Sequence, residues 1–249
     1  MHKFRLSCVT ACMNRNKRVL KVLPSWLQFD TIQEIIIVDW SSEEPVSKIL
    51  TFNDERIHVV RVEEQQYWRA SEAWNLAFRT CHGRLVLKLD IDYVLKDNFL
   101  KIHPLEGGMF YVGEWQNVTE NDSHLMGALF VPKRDFLMVN GYNELIKTYG
   151  WEDDDLYCRI EKTGLERVKF KDGSIFHIPH DDEFRLKHHE GNIIDRDHET
   201  EKNKVIAAEN PWSKAYKMAE YETTSKSDNE TICRQIPEPT TSKIKRVLL

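Results

Sequence analysis

The sequence predicts an α/β protein with a mixed, mostly parallel central sheet flanked by helices. Three observations predict it. A near-continuous β-branched run covers residues 32–39 (IQEIIIVD), the pattern of a strand buried on both faces. An apolar stripe at helical period runs through Ala70, Ala73, Trp74, Ala77, Phe78 and Cys81. Around these, strand-like and helix-like segments alternate, as in open sheets with helices on both faces.

The elements follow in order. Residues 5–10 (RLSCVT) read as a first strand and residues 19–29 as a helix. Ser41, Ser42 and Pro45 stop the β-branched second strand, and residues 58–62 make a shorter third. Gly83 ends the amphipathic helix. Residues 84–89 (RLVLKL) then alternate as a fourth strand, which delivers Asp90 at its carboxyl end. Ligands in such sheets bind beyond the carboxyl ends of the strands, where Asp39 and Asp90 both fall. In the second half, residues 109–115, 128–132, 168–170 and 174–178 read as strands. Residues 134–140 and 151–163 read as helices. After about residue 180 the chain turns polar and irregular.

The expected organisation is one domain over residues 1–217. Its nucleotide-binding half covers about 1–104 and its acceptor half about 105–217. A polar, flexible tail is expected over 218–249. The 249 residues, 41% of them hydrophobic, suffice for one large core, and the net charge of -5 argues against a nucleic-acid partner. Five cysteines without zinc spacing read as reduced thiols, and no signal segment or apolar span near 20 residues occurs. Both suggest a cytoplasmic setting. The final run, with Lys243, Lys245, Arg246 and three apolar residues, is a candidate contact with the inner face of a membrane or a partner enzyme.

Five groups of residues are candidates for chemistry. Asp90 and Asp92 flank one residue at a strand mouth, where two hard oxygen ligands suit Mn²⁺ or Mg²⁺ holding a diphosphate. Glu152, Asp153, Asp154 and Asp155 fill a first helical turn, which the helix dipole favours. Tyr149-Gly150-Trp151 just before them reads as a ligand platform, and an acid beside an indole is a candidate general base. His177 and His180 end a strand and can complete a metal site begun by Asp92. Thr10, Cys12 and Arg15 follow the first strand, where a loop can line a nucleotide. Asp39 and Arg69 are candidates for base or ribose and for phosphate contact; a turn-forming Asp and a surface Arg are the alternatives. His188 and His189, in a polar stretch, read as solvated.

Together these motifs resemble the inverting GT-A glycosyltransferases of the family 2 type, with features of chondroitin-type polymerases and β-1,4-galactosyltransferases. The resemblance rests on VTACMNR, EIIIVDWSS, the segment YWRASEAWNLAFRTCHGRLVLKLDID, GYNELIKTYGWEDDDLYCRI and HIPH. It implies a Rossmann-like GT-A fold and a metal-dependent transfer of a hexose or N-acetylhexosamine. The donor would be a nucleoside-diphosphate sugar, with UDP favoured, and the acceptor a glycan or glycolipid hydroxyl in surface polysaccharide synthesis. By the same resemblance Asp39 contacts the nucleobase, and Thr10, Cys12 and Arg15 line the nucleotide. Asp90 and Asp92 are the Asp-x-Asp pair, with Asp92 the direct metal ligand beside His180 and His177. Asp153 is the base, while Glu152 or Asp154 holds acceptor hydroxyls next to Trp151. Two places depart from the pattern. Trp40 and Ser41 replace an acid and Gly after Asp39. Trp74 stands where an Arg precedes Asn75, which shifts the expected phosphate contact to Arg69. A sugar nucleotidyltransferase would use similar acids but a Gly-rich first loop, and this loop has no Gly. A non-catalytic glycan-binding module would have no need of a base.

Overall fold

A computed structural model describes residues 6–116, 118–180, 187–191 and 195–237. The first strands are β1 (Leu6–Cys12), β2 (Ile32–Trp40) and β3 (Ile57–Glu63), with α1 (Asn16–Leu27) between the first two and α2 (Val46–Ile49) after the second. Then come α3 (Ala70–Thr80), β4 (Leu85–Lys88), β5 (Tyr93–Leu95) and α4 (Phe99–Ile102). The second half holds β6 (Met109–Val112), β7 (Leu129–Pro132), α5 (Lys133–Met138), α6 (Glu152–Glu161), β8 (Glu166–Lys169) and β9 (Ile175–His177). It ends with α7 (Arg196–Glu209), β10 (Tyr221–Lys226) and β11 (Glu230–Gln235).

Nine strands form one sheet in the order β10-β11-β3-β2-β1-β4-β7-β6-β8. Pairings around β1, β2 and β3 are parallel, whereas β7 runs antiparallel to both β4 and β6. The β-branched run buries both faces, as its composition predicts. Ile35 and Ile37 pack with Val19, Leu23 and Trp26 of α1. Ile36 and Val38 pack with Ala73, Ala77 and Phe78 of α3. Trp26 Nε1 also donates to Tyr93 O at 2.9 Å, tying α1 to the segment that follows Asp92; such a bond adds about 1 kcal/mol net.

β5 and β9 form a separate two-stranded antiparallel sheet, in which Tyr93 pairs with His177. This pairing joins the Asp-x-Asp segment to the histidine segment. Sequence periodicity missed β5, because three residues are too few to show alternation.

The expected tail from residue 218 is corrected over its first part. β10 and β11 are antiparallel to each other, and β11 runs parallel to β3 at the sheet edge. β10 is polar and mostly exposed and β11 half-buried, so backbone pairing holds them, with apolar burial coming mainly from Cys233 and from Tyr221 packed on Trp40. α7 corrects the reading of an irregular region after residue 180. Its cap is Asp195, which accepts from the backbone N–H groups of Asp197 and His198. The terminal basic run lies outside the described residues, and among those described no helix is long and apolar enough to cross a membrane.

Candidate active site

A cavity of about 720 Å³ opens at the carboxyl ends of β1 and β4. Its walls are the β1 loop, the Asp-x-Asp turn, the start of α6, the β9 end and one side of α7.

Three side chains converge on one wall. Asp92 is buried, and its Oδ2 lies 3.0 Å from His180 Nε2 and 3.8 Å from His177 Nε2. The three offer ligand atoms all within 4.8 Å of one another. Asp92 holds its place because its carbonyl accepts from Ile178 N at 2.8 Å. Asn121 Oδ1 accepts from His177 N at 2.8 Å, and the His124 ring stacks on that of His177. Burial pushes the Asp92 carboxyl up, but the His180 hydrogen bond and the charges of His177, His180 and Arg15 outweigh it, and the net shift is downward. An ionised carboxylate with two imidazoles is a donor set that fits a divalent ion such as Mn²⁺.

The second wall is acidic. Gly150 (φ 91°) and Trp151 (φ 75°) are both left-handed, and they swing the chain so that α6 starts at the cavity. For Trp151 this costs about 1–3 kcal/mol. Asn203 of α7 offsets it by donating to Tyr149 O at 3.0 Å and Gly150 O at 2.8 Å. Asp153 Oδ1 accepts from Tyr142 Oη at 2.8 Å and faces Lys88 Nζ at 3.4 Å. Burial pushes the Asp153 carboxyl up, partly offset by Lys88 and Tyr142.

Solved structures of similar fold were found at low identity. One is the catalytic domain of Drosophila beta1,4-galactosyltransferase 7 with xylobiose: TM-score 0.56, 15% identity, 92% of each chain. A substituted form of that enzyme, solved with manganese, UDP-Gal and xylobiose, gives the same values. The mannosyltransferase PcManGT from Pyrobaculum calidifontis, solved with GDP-Man and Mn²⁺, matches with TM-score 0.55 and 15% identity over 68% of this chain and 55% of its own. No curated protein matches by sequence. Residues 7–103 match glycosyl transferase family 2, and residues 113–181 match the N-terminal domain of galactosyltransferase. The first match carries Asp90 and Asp92; the second carries Asp153, His177 and His180.

The chain has the GT-A fold, and glycosyltransferase family models match two successive stretches of it.

Most of the residues predicted from sequence line this cavity: Cys12, Arg15, Asp90, Asp92, Trp151, Glu152, Asp153, Asp154, His177 and His180. Three do not. Thr10 is fully buried within β1. Asp39 is also fully buried, and the protein itself occupies its carboxylate. Oδ1 accepts from Ser42 N at 3.0 Å; Oδ2 accepts from Val46 N at 3.0 Å and Arg61 Nη1 at 2.7 Å. Asp39 thus organises the turn after β2 rather than facing the cavity. Arg69 pairs with Glu190 and donates to Lys147 O at 3.0 Å, and it does not line the cavity although its neighbours Trp68 and Ala70 do.

Sequence reasoning missed Lys88 and Tyr142, which hold Asp153. It also missed Trp115, which is 56% exposed and lines the cavity mouth, and the α7 residues Thr200 and Lys204. The signal for Lys88 was a charge in an otherwise apolar strand. His188 and His189 are not simply solvated, since both line the cavity. His189 is buried with no hydrogen-bond partner for Nδ1 among the described residues, and burial lowers its pKa to about 4.

Glu152 has an Oε2 shut off from solvent without a partner among the described residues. Burial, then the charge of Asp153, pushes its carboxyl from 4.5 up to about 8. Between those values the unfolded chain binds fewer protons than the folded one, so this group's contribution to stability falls as pH rises through the window. Glu152→Gln is expected to raise Tm relative to the parent at pH 8 and hardly at pH 4.5. A Tm difference that does not grow with pH, in scans across that range, contradicts this account.

Proposed function

We propose that the protein is a metal-dependent, inverting glycosyltransferase. It moves a hexose or N-acetylhexosamine from a UDP-sugar to a hydroxyl of a glycan acceptor, in surface polysaccharide synthesis. One observation carries the reading. A carboxylate–imidazole triad and a half-buried, anchored carboxylate, Asp153, face one cavity from separate elements.

Asp92, His177 and His180 would hold the cation. Bound there, a divalent ion supplies a Lewis acid that offsets charge on the departing diphosphate. Arg15 and Cys12 bound the same wall and would meet the nucleotide, with Asp90 beside the donor. Asp153 removes the proton from the acceptor hydroxyl. Both anchoring contacts fall on Oδ1, which leaves Oδ2 to receive that proton. Attack on the anomeric carbon from the Asp153 side, opposite the leaving diphosphate, inverts it. Trp151, with Lys204 Nζ 4.8 Å over its ring, gives a face on which a sugar can stack, and Asp154 and Glu152 lie next to it for acceptor hydroxyls. The manganese, UDP-Gal and xylobiose in the Drosophila enzyme support this reading.

The test is a donor screen with Mn²⁺ that follows the released nucleotide. Release of nucleoside diphosphate with a glycosylated acceptor is expected. Pyrophosphate as product, or no turnover across donors and acceptors, overturns the proposal.

Gly127 gives a finer check. A Cβ there would lie 2.9 Å from Asp90 Cγ and Oδ1 and closer still to Oδ2, at a backbone angle that any residue adopts. The carboxylate is the movable partner. Gly127→Ala is therefore expected to raise KM for the donor while Tm shifts by no more than a few degrees. Steady-state kinetics with an unchanged donor KM would remove Asp90 from the donor site.

A further inference from the structure

Lys88 is the last residue of β4 and is 1% exposed. A buried ammonium is strongly disfavoured unless paired and hydrogen-bonded. This one meets four groups from separate parts of the chain. Nζ donates to Gly127 O at 2.6 Å and sits 4.2 Å from the centroid of the Trp74 ring. It lies 3.4 Å from Asp90 Oδ1 and 3.4 Å from Asp153 Oδ1. One ammonium therefore bridges the Asp-x-Asp turn and the first turn of α6, two segments 63 residues apart (Asp90 to Asp153).

We infer that Lys88 is a positioning residue, which anchors Asp153 and Asp90 to a single fixed cation and so sets the base in place relative to the donor. The inference rests on the reading of Asp153 as base. The chemistry of the surroundings supports it. Asp153 faces Glu152 and Asp154 on α6, Asp90 after β4, and the hydroxyl of Tyr142, with Tyr157 on the same helix. Three carboxylates crowd a fourth, and Lys88 is the cation in contact with two of them. Burial pushes Lys88 towards the neutral amine, but Asp153, Asp90 and Glu152 reverse the direction, so the ammonium persists. Without that charge, the acids around Asp153 would favour its protonated form, which cannot accept the hydroxyl proton. Tyr142 would remain to orient the carboxyl, so loss of Lys88 separates charge from orientation.

The experiment compares Lys88→Met, Lys88→Arg and Asp153→Asn with the parent. Turnover is followed as UDP released from UDP-galactose with Mn²⁺, using the acceptor found in the donor screen or water in its place. For Lys88→Met, kcat should fall about 10²-fold, at the lower end of general-base effects. The acid limb of its kcat/KM profile should move up by about one pH unit or more. Mn²⁺-linked UDP binding should persist, and Lys88→Arg should move the acid limb back towards the parent. A merely structural lysine would lower activity without moving that limb. If Lys88→Met lacks a cooperative thermal transition, Lys88→Gln carries the same test, because its amide can still donate to Gly127 O. An unshifted acid limb alongside an inactive Asp153→Asn overturns the role of Lys88 alone. An active Asp153→Asn overturns the base assignment, and the inference falls with it.

Discussion

Asp153→Asn is expected to lower kcat by about 10³-fold, within the range that a positioned general base contributes. The substitution is nearly isosteric, and the asparagine carbonyl can still accept the Tyr142 hydroxyl that now lies 2.8 Å from Oδ1. It removes one charge from a crowded acidic wall, where burial already pushes the Asp153 carboxyl up. Stability should therefore change little, and Tm should stay within a few degrees of the parent. Lys88 keeps Asp90 and Gly127 O as partners. Mn²⁺-linked UDP binding should be intact, because the triad lies on a different wall. The variant thus separates chemistry from binding. Calorimetric titration of UDP with Mn²⁺ should match the parent while turnover collapses. Near-parental turnover would show that another group takes the proton, with Glu152 and Asp154 the next to substitute.

The elements of this site differ in how far the sequence reveals them, and the reasons are physical. The parallel core was legible because β2 and α3 obey strong periodic patterns, and both bury whole faces. Asp90, Asp92 and the acids of α6 stood out because runs of charge at element ends are local signals. The pairing of β5 with β9 was not legible. Each strand has three residues, and their contact spans about eighty residues of sequence. Yet that pairing brings His177 and His180 to Asp92. α7 and the β10–β11 hairpin escaped for another reason. Only Asn203 of α7 is buried, so the helix has no apolar stripe to betray it, and the hairpin is held by backbone pairing to β3. Asp39 shows the reverse failure. The resemblance places it at the nucleobase, but Arg61 and the N–H groups of Ser42 and Val46 claim its oxygens. A strand-end aspartate looks the same in sequence whether it serves a ligand or its own turn.

The metal wall carries the other large effect. Asp92→Ala should lower turnover by about 10³-fold, since Lewis-acid stabilisation of a diphosphate leaving group is worth several kcal/mol. The loss should come through the cation, not the fold. Removing Asp92 leaves His177 still hydrogen-bonded to Asn121 through its backbone and packed on His124. It takes away the only carboxylate of the three-residue donor set found among the described residues. His180→Ala should follow the same pattern, because its Nε2 is the nearer imidazole nitrogen to Asp92 Oδ2, at 3.0 Å against 3.8 Å for His177. In the parent, Mn²⁺ should strengthen UDP binding, and chelation by EDTA should abolish both that gain and turnover, with Mn²⁺ restoring them. In Asp92→Ala, UDP affinity should be the same with and without Mn²⁺. Such linkage is reciprocal, so UDP must also tighten Mn²⁺ in the parent by the same factor. Titrating each ligand in the presence and absence of the other tests both halves. Equal UDP affinity with and without Mn²⁺ in the parent would place the cation elsewhere and leave Asp92 as the hydrogen-bond partner of His180.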